Sequence, residues 1–171
     1  MEAKDMSLNG QTALMTAAYQ KQPEVVAYLL SKGANVNAVK NDGWTVLTIA
    51  AEAGSPDVIQ FLLNGGADVN AKVGKNGLNA LMIACQYENH FEVIQMLIAK
   101  GTDPNAQATV GGTTALMTLA YYGYLQEAEF LLKSGADPNI KDKNGYTALS
   151  FAQQNNKVDM GILLKKYGAK I

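Results

Sequence analysis

The stretch Gly43–Asn70, GWTVLTIAAEAGSPDVIQFLLNGGADVN, decides the fold because its pattern recurs along the whole chain. Each copy opens with a glycine, one variable residue, a threonine or asparagine, a small residue and a leucine. These leucines are 33, 34, 35 and 33 residues apart, at Leu14, Leu47, Leu81, Leu116 and Leu149. Self-similarity at this period indicates a repeat architecture, in which each unit buries its apolar face against its neighbours.

Each unit predicts two short helices separated by a tight loop. A residue that can cap a helix N-terminus with a side-chain oxygen precedes the first helix of every copy: Thr12, Thr45, Asn79, Thr114 and Thr147. The second helix begins near Pro23 and Pro56 in the first two copies, since proline is tolerated in the first helical turn. Double-leucine pairs such as Leu62-Leu63 predict the core, and a glycine then ends each second helix: Gly33, Gly66, Gly101, Gly135 and Gly168.

The chain resembles ankyrin repeat proteins, whose pattern is G-x-T-P-L-H-x-A-A, then G-H-x-x-V-V-x-L-L-L, then G-A-D-x-N-A. The last part stands here as Gly33–Asn37, Gly66–Asn70, Gly101–Asn105 and Gly135–Asn139. The resemblance implies an all-α ankyrin-repeat solenoid of helix-turn-helix units with β-hairpin or loop fingers. We expect a single domain over residues 1–171, with repeats at about 7–39, 40–73, 74–108, 109–141 and 142–171.

The family motif T-P-L-H is altered in every copy, reading Thr-Ala-Leu-Met in copies one and four. This form is more similar to bacterial members than to animal ones. The histidine that joins adjacent repeats by hydrogen bonds in the family is absent at these positions. We therefore expect somewhat softer contacts between repeats, with methionine filling the space.

Composition excludes several classes of function. The formal net charge is −1, from 14 basic and 15 acidic residues, so no overall field attracts nucleic acid or an anionic membrane. No apolar run is long enough for membrane insertion, and the first residues lack the apolar core of a signal peptide. We expect a cytoplasmic monomer, although a targeting segment removed before Met1 would leave this same sequence.

Cys85 and His90 lie close in sequence, which raises the hypothesis of a nucleophile and its base. Cys85 occupies the small-residue position that Ala18, Ala51 and Ala120 hold in other copies, so we expect it to be packed against a neighbouring helix. A nucleophilic cysteine needs an electropositive, partly exposed setting. One histidine and one cysteine also cannot build a usual metal site, and we expect neither catalysis nor a cofactor.

The positions that vary between copies are those available for a partner. They follow each turn glycine or lie near the end of each first helix, and aromatic residues are enriched among them. Tyrosine and tryptophan are typical interface anchors. The predicted partner-binding residues are Tyr19, Trp44, Glu52, Leu78, Tyr87, Tyr121, Tyr122 and Tyr146. The predicted hairpin tips add a mild positive excess, from Lys40, Lys72, Lys75, Lys141 and Lys143, which favours an acidic stretch on the partner.

Three functional interpretations follow. The resemblance implies a protein–protein interaction module that binds a partner protein through its concave face, made of first helices and hairpin tips. An alternative is the binding portion of a larger or secreted microbial effector or regulatory protein. The third, and weakest, is a small enzyme that depends on Cys85.

Overall fold

Residues 9–170 are described by a computed structural model, and they contain ten helices and no extended strand. The first helices of the five pairs are α1 (Ala13–Tyr19), α3 (Val46–Ala53), α5 (Ala80–Ala84), α7 (Ala115–Tyr122) and α9 (Ala148–Gln154). The second helices are α2 (Pro23–Ser31), α4 (Pro56–Asn64), α6 (Phe91–Ala99), α8 (Leu125–Lys133) and α10 (Val158–Lys166). The all-α solenoid prediction is therefore confirmed.

The helices stack in two layers. Each first helix contacts the next first helix and each second helix the next second helix, while the two helices of a pair also contact each other. One pair lies within each predicted repeat, and the exact repeat and domain boundaries stay a prediction. We number the repeats one to five accordingly.

The first helices begin as predicted, because each is capped by the expected side chain. Thr12, Thr45, Asn79, Thr114 and Thr147 each accept a hydrogen bond from the backbone N–H three residues later. In four repeats the side chain three positions after the cap accepts a hydrogen bond from the backbone N–H of the cap. The acceptor is a methionine sulfur in repeats one and four, where the sequence reads Thr-Ala-Leu-Met.

The core runs continuously between the two layers. Leu14, Leu47, Leu81, Leu116 and Leu149, which define the repeat, are all buried. Of the predicted pairs of large apolar residues in the second helices, Leu62, Leu97, Leu131 and Leu164 are fully buried, whereas Leu29, Leu30, Ile98 and Leu163 are only partly buried. Leu29, Leu30 and Leu163 lie in the first and last repeats, where a helix has a described neighbour on one side only, whereas Ile98 lies in the middle repeat.

The fingers between helix pairs are very short hairpins. Isolated antiparallel bridges join Val39 to Thr45 and Val73 to Leu78. The fingers of repeats four and five are closed by the backbone bonds Ala108 N–H to Thr113 O and Asp142 N–H to Tyr146 O. In the segments that follow the second helices, Asp68, Asp103 and Asp137 each accept a hydrogen bond from the backbone N–H two residues later.

Candidate protein-binding surface

The structure divides the eight predicted partner-binding residues into two groups at opposite ends of the first helices. Trp44, Leu78 and Tyr146 lie just before the caps of α3, α5 and α9, and we call them the finger edge. The loop edge consists of side chains at the other ends of the first helices and in the loops that follow: Tyr19, Glu52, Tyr87, Glu88, Tyr121, Tyr122 and Tyr124. An eight-residue helix separates the edges by about 12 Å.

The finger edge is the less exposed group. Trp44 and Leu78 are partly buried and pack against the core, and only Tyr146 is well exposed, at 44%. The Tyr146 ring lies 6.3 Å from that of Phe151 in an edge-to-face arrangement. This edge therefore offers one open aromatic ring and two partly covered apolar side chains.

The loop edge is more open and is connected across the repeats. The exposed fractions are 61% for Tyr19, 47% for Tyr121, 40% for Tyr122 and 37% for Tyr87. The Tyr121 and Tyr122 rings meet edge to face at 5.0 Å, and Tyr122 stacks on Tyr124 with centroids 5.4 Å apart. These contacts hold the rings in fixed orientations while much of their surface faces solvent.

Tyr87 joins the second and third repeats at this edge. Its hydroxyl group donates to Glu52 Oε1 at 3.3 Å, and its ring stacks on His90 with centroids 5.1 Å apart. The pKa of the Tyr87 hydroxyl is raised by partial burial and then by the Glu52 carboxylate, with smaller contributions from Tyr122 and Tyr19. Those contributions place side chains of repeats one to four in one electrostatic neighbourhood.

Sequence reasoning missed Tyr124 and Glu88. Tyr124 is the residue before α8, the position that His90 holds before α6, so aligning the second-helix caps would have found it. Burial raises the pKa of the Tyr124 hydroxyl, and the Glu88 carboxylate raises it further, ahead of Tyr122 and Glu127. Glu88 is exposed and lies between α5 and α6, where repeat three has an insertion of one residue: Leu81 and Leu97 are 16 residues apart, against 15 for Leu47 and Leu62.

His90 has a packing role. An added Cβ at Gly54 would collide with the His90 imidazole, so the ring lies directly over this glycine of the preceding repeat. Its Nδ1 atom is buried without a hydrogen-bond partner. The pKa of His90 is lowered by burial and then by the charge of Lys21, against an opposing contribution from the Ala51 backbone.

Three of the five predicted tip lysines are already engaged within the protein. Lys72 Nζ donates to Gln107 O at 2.9 Å, Lys143 Nζ to Thr109 O at 2.6 Å, and Lys40 pairs with Asp42 at 3.1 Å. The first two bonds join one finger to its neighbour. These lysines therefore stabilise the finger stack, which weakens the expectation that the tips select an acidic partner.

Cys85 is completely buried, as its alanine-like position predicts. Burial strongly raises the pKa of its thiol, and the Glu127 carboxylate adds to the effect. Both causes disfavour the thiolate, which is the nucleophilic form. Residues 9–170 also contain no group of three or more His, Cys, Asp or Glu side chains able to hold a metal ion.

A groove of about 430 Å³ lies on the second-helix side, between α8 and α10. Leu125 and Ile162 form its apolar lining beside Glu129 and Lys166. Of the charged groups there, Glu129 contacts Lys133 at 3.3 Å and Lys166 at 3.7 Å, whereas Asp159 forms no salt bridge among the described residues. No aromatic ring lines this groove, in contrast to the loop edge.

Across the described part of the chain, no helix is both long and apolar enough to cross a lipid bilayer. A comparison with curated proteins gives no match. The family model described as "Ankyrin repeats (3 copies)" matches residues 1–73, 35–108 and 81–171, which together cover the whole chain. Members of this family generally act as protein–protein interaction modules and bind protein partners. Its repeats, its stacked helix pairs and this match agree, and the chain belongs to the ankyrin repeat family.

Proposed function

We propose that this chain is a non-enzymatic interaction module that binds a partner protein on its first-helix side, the concave side in the family. The contact residues would be Tyr19, Trp44, Glu52, Leu78, Tyr87, Tyr121, Tyr122 and Tyr146. The observation that carries the proposal is the open row of tyrosine rings along the loop edge. Neither nucleic acid nor a cofactor takes part, and the binding unit is a monomer.

Tyrosine suits this role for a physical reason. Its ring offers a large contact area but only two side-chain torsions to immobilise, so little conformational entropy is lost on binding. Here the rings already restrain each other through stacked and edge-to-face contacts. Such preorganisation lowers the ordering cost of association, which supports the loop edge as the main contact area.

Affinity capture with matched variants tests this proposal. The loop-edge variant is Tyr19→Ser, Tyr87→Ser, Tyr121→Ser. The control is Val25→Ser, Tyr28→Ser, Phe61→Ser, which removes three apolar side chains of comparable exposure, 42%, 60% and 40%, from second helices. We expect the loop-edge variant to capture at least tenfold less of a partner protein that the wild type and the control retain. Quantitative mass spectrometry of the captured proteins measures this amount.

Equal capture of all partners by both variants would contradict the proposal. A separate Trp44→Ala, Tyr146→Ala variant measures the contribution of the finger edge. We expect it to have the smaller effect, because Trp44 is partly covered by the core.

The non-enzymatic part is tested at Cys85. A maleimide reagent should label the thiol in urea but not in the native protein, since the side chain has no exposed surface. Native labelling as fast as that of free cysteine would favour the Cys-dependent enzyme instead.

A further inference from the structure

Acidic residues outnumber basic ones around the loop edge. The helical segments 46–64, 80–99 and 115–133 of the three middle repeats contain six acidic residues and one basic residue, Lys133 at the end of α8. These acids are Glu52, Asp57, Glu88, Glu92, Glu127 and Glu129. The lysines nearest in sequence to this edge, Lys21 and Lys157, belong to the loops of the first and last repeats. Lys21 acts on His90 and Lys157 lies over Gly123, so cations reach this edge from both ends, but the carboxylates of the middle repeats outnumber them.

Two of these carboxylates are offset neither by a helix dipole nor by a salt bridge, whereas Glu129 is paired with Lys133 and Lys166. Asp57, Glu92 and Glu127 lie in the first turns of α4, α6 and α8, where the partial positive charge of the helix N-terminus offsets them. Glu52 lies near the C-terminal end of α3, and Glu88 lies outside any helix. At a helix C-terminus the dipole adds to the negative potential. Neither residue forms a salt bridge among the described residues.

The tyrosine rings add to this potential. The face of an aromatic ring is electronegative, and it attracts a cation held over it. Glu52 contacts Tyr87 directly, and Glu88 acts on Tyr124. A positively charged group at this edge would thus meet ring faces and carboxylates together, whereas a phosphate or an acidic peptide would be repelled.

We propose that the loop edge recognises an arginine-containing, positively charged segment of the partner protein. The guanidinium groups stack on Tyr87, Tyr121 and Tyr122 and pair with Glu52 and Glu88. This proposal rests on the proposed function and specifies its partner. Arginine fits better than lysine because its planar cation stacks on aromatic rings and is more weakly hydrated.

The spacing of the repeats suggests the form of the segment. Packed helices lie about 8–10 Å apart, and an extended chain advances about 3.3 Å per residue. Arginine at every third position of an extended segment therefore returns to the edge about once per repeat. The chain itself contains no arginine, since all 14 of its basic residues are lysines.

The test uses synthetic peptides of matched length. The probe is acetyl-(Gly-Ser-Arg)4-amide, and the comparison peptides carry lysine, citrulline or leucine in place of arginine. Calorimetry and NMR titration at about 50 mM salt, where charge interactions are weakly screened, give the affinities. We expect the arginine peptide to bind at least threefold more tightly than the lysine peptide and tenfold more tightly than the citrulline peptide, with shifts at the loop-edge tyrosines.

Protein variants then separate the local site from overall charge. Glu52→Gln, Glu88→Gln and, separately, Tyr121→Ser, Tyr122→Ser should each weaken the arginine peptide at least fivefold. The control Glu24→Gln, Asp159→Asn removes the same charge from the first turns of α2 and α10 and should change affinity less than twofold. If the Tyr121→Ser, Tyr122→Ser variant fails to fold, as judged by circular dichroism, the Glu52→Gln, Glu88→Gln variant alone tests the site.

Three results would overturn the inference: no measurable binding of the arginine peptide, equal binding of the arginine and lysine or citrulline peptides, or an equal loss in the control variant. Preferential binding of the leucine peptide, lost in the tyrosine variant, would also overturn it but would leave the proposed function intact. The proposed function itself fails only if affinity capture shows no loss in the loop-edge variant.

Discussion

At the scale of single residues, one backbone position in each helix-to-helix loop is left-handed. Lys21, Gly54, Asn89, Gly123 and Asn156 hold it in repeats one to five, with φ between 54° and 87°. Glycine adopts this conformation freely, asparagine tolerates it, and lysine is strained there. The insertion in repeat three shifts the position by one residue, from Glu88 to Asn89, and so preserves the loop.

We predict that Lys21→Gly stabilises the protein by about 0.5–1 kcal/mol, because it relieves a strain of about 1–3 kcal/mol at an entropic cost of about 0.4–1 kcal/mol in the unfolded chain. Urea unfolding monitored by circular dichroism measures the change. Asn89→Gly is the matched control and should gain less, since asparagine already tolerates this conformation. A loss of stability in Lys21→Gly would show that its side-chain contacts outweigh the strain.

His90 predicts a dependence of stability on pH. Its pKa is lowered in the folded state, by burial and by Lys21, so folding favours the neutral ring that packs against Gly54 and Tyr87. This contribution is present above the unfolded pKa of about 6.5 and is lost as the pH falls below it. Between pH 7.5 and pH 5.5 the Tm should therefore fall more in the wild type than in His90→Gln. Parallel pH profiles in calorimetry would contradict this assignment.

The roles of residues that act within one helix can be predicted from the sequence, whereas contacts between residues of different repeats cannot. Thr45 and Pro56 predict helix starts because a cap or a first-turn proline depends only on its own helix. The packing of His90 on Gly54 was not predicted, because it joins different repeats. For the same reason the sequence pattern predicts the exposed tyrosines as one set, although a helix length separates those at the loop edge from Tyr146.

At the scale of elements, asparagine side chains join the ends of successive repeats. Asn37, Asn105 and Asn139 each donate from Nδ2 to a glycine carbonyl of the next repeat and accept a backbone N–H at Oδ1. Asn70 holds the equivalent position, but neither bond is found there among the described residues. These pairs of hydrogen bonds link repeats that lack the histidine of the family motif. The expected softer packing between repeats stays a prediction.

The asparagine pairs give a matched prediction. Asn105→Ala should lower the free energy of unfolding by about 1–2 kcal/mol, because it removes two hydrogen bonds worth about 0.5–1.5 kcal/mol each, near the lower end for an accessible site. Asn70→Ala should change it by less than about 0.5 kcal/mol. Urea unfolding of both variants provides the measurement, and equal losses would show that the bonds of Asn105 contribute nothing specific.

At the scale of the whole molecule, the junction between repeats two and three differs from the others along the fingers. Backbone bonds from Asn41 to Asn9, from Val110 to Asn76 and from Lys143 to Gly111 join the other neighbouring fingers at 2.8–3.1 Å. Within residues 9–170, Lys75 holds the equivalent donor position in repeat three and makes no such bond. The two side-chain hydrogen bonds that are not found at Asn70 would span this same junction. At the loop edge, the bond from Tyr87 to Glu52 joins the two repeats.

We predict that this difference is visible in native-state hydrogen exchange. The Lys75 amide should exchange at least about tenfold faster than those of Asn41, Val110 and Lys143, since exchange requires only local opening where no bond is present. NMR exchange at constant pH, corrected for intrinsic rates, measures it. Equal protection of all four amides would mean that a bond absent from this structure forms in solution.

The packing of the His90 ring on Gly54 also restricts the order in which the repeats can be joined. Repeat three fits behind a repeat whose loop has no Cβ at this position, and Lys157 of repeat five likewise lies close over Gly123 of repeat four. A chain shuffled so that repeat three follows repeat one would press the imidazole into the lysine at position 21. The repeats share a sequence pattern, but at two junctions a large side chain packs on a glycine of the preceding repeat. The repeats are therefore not interchangeable in order.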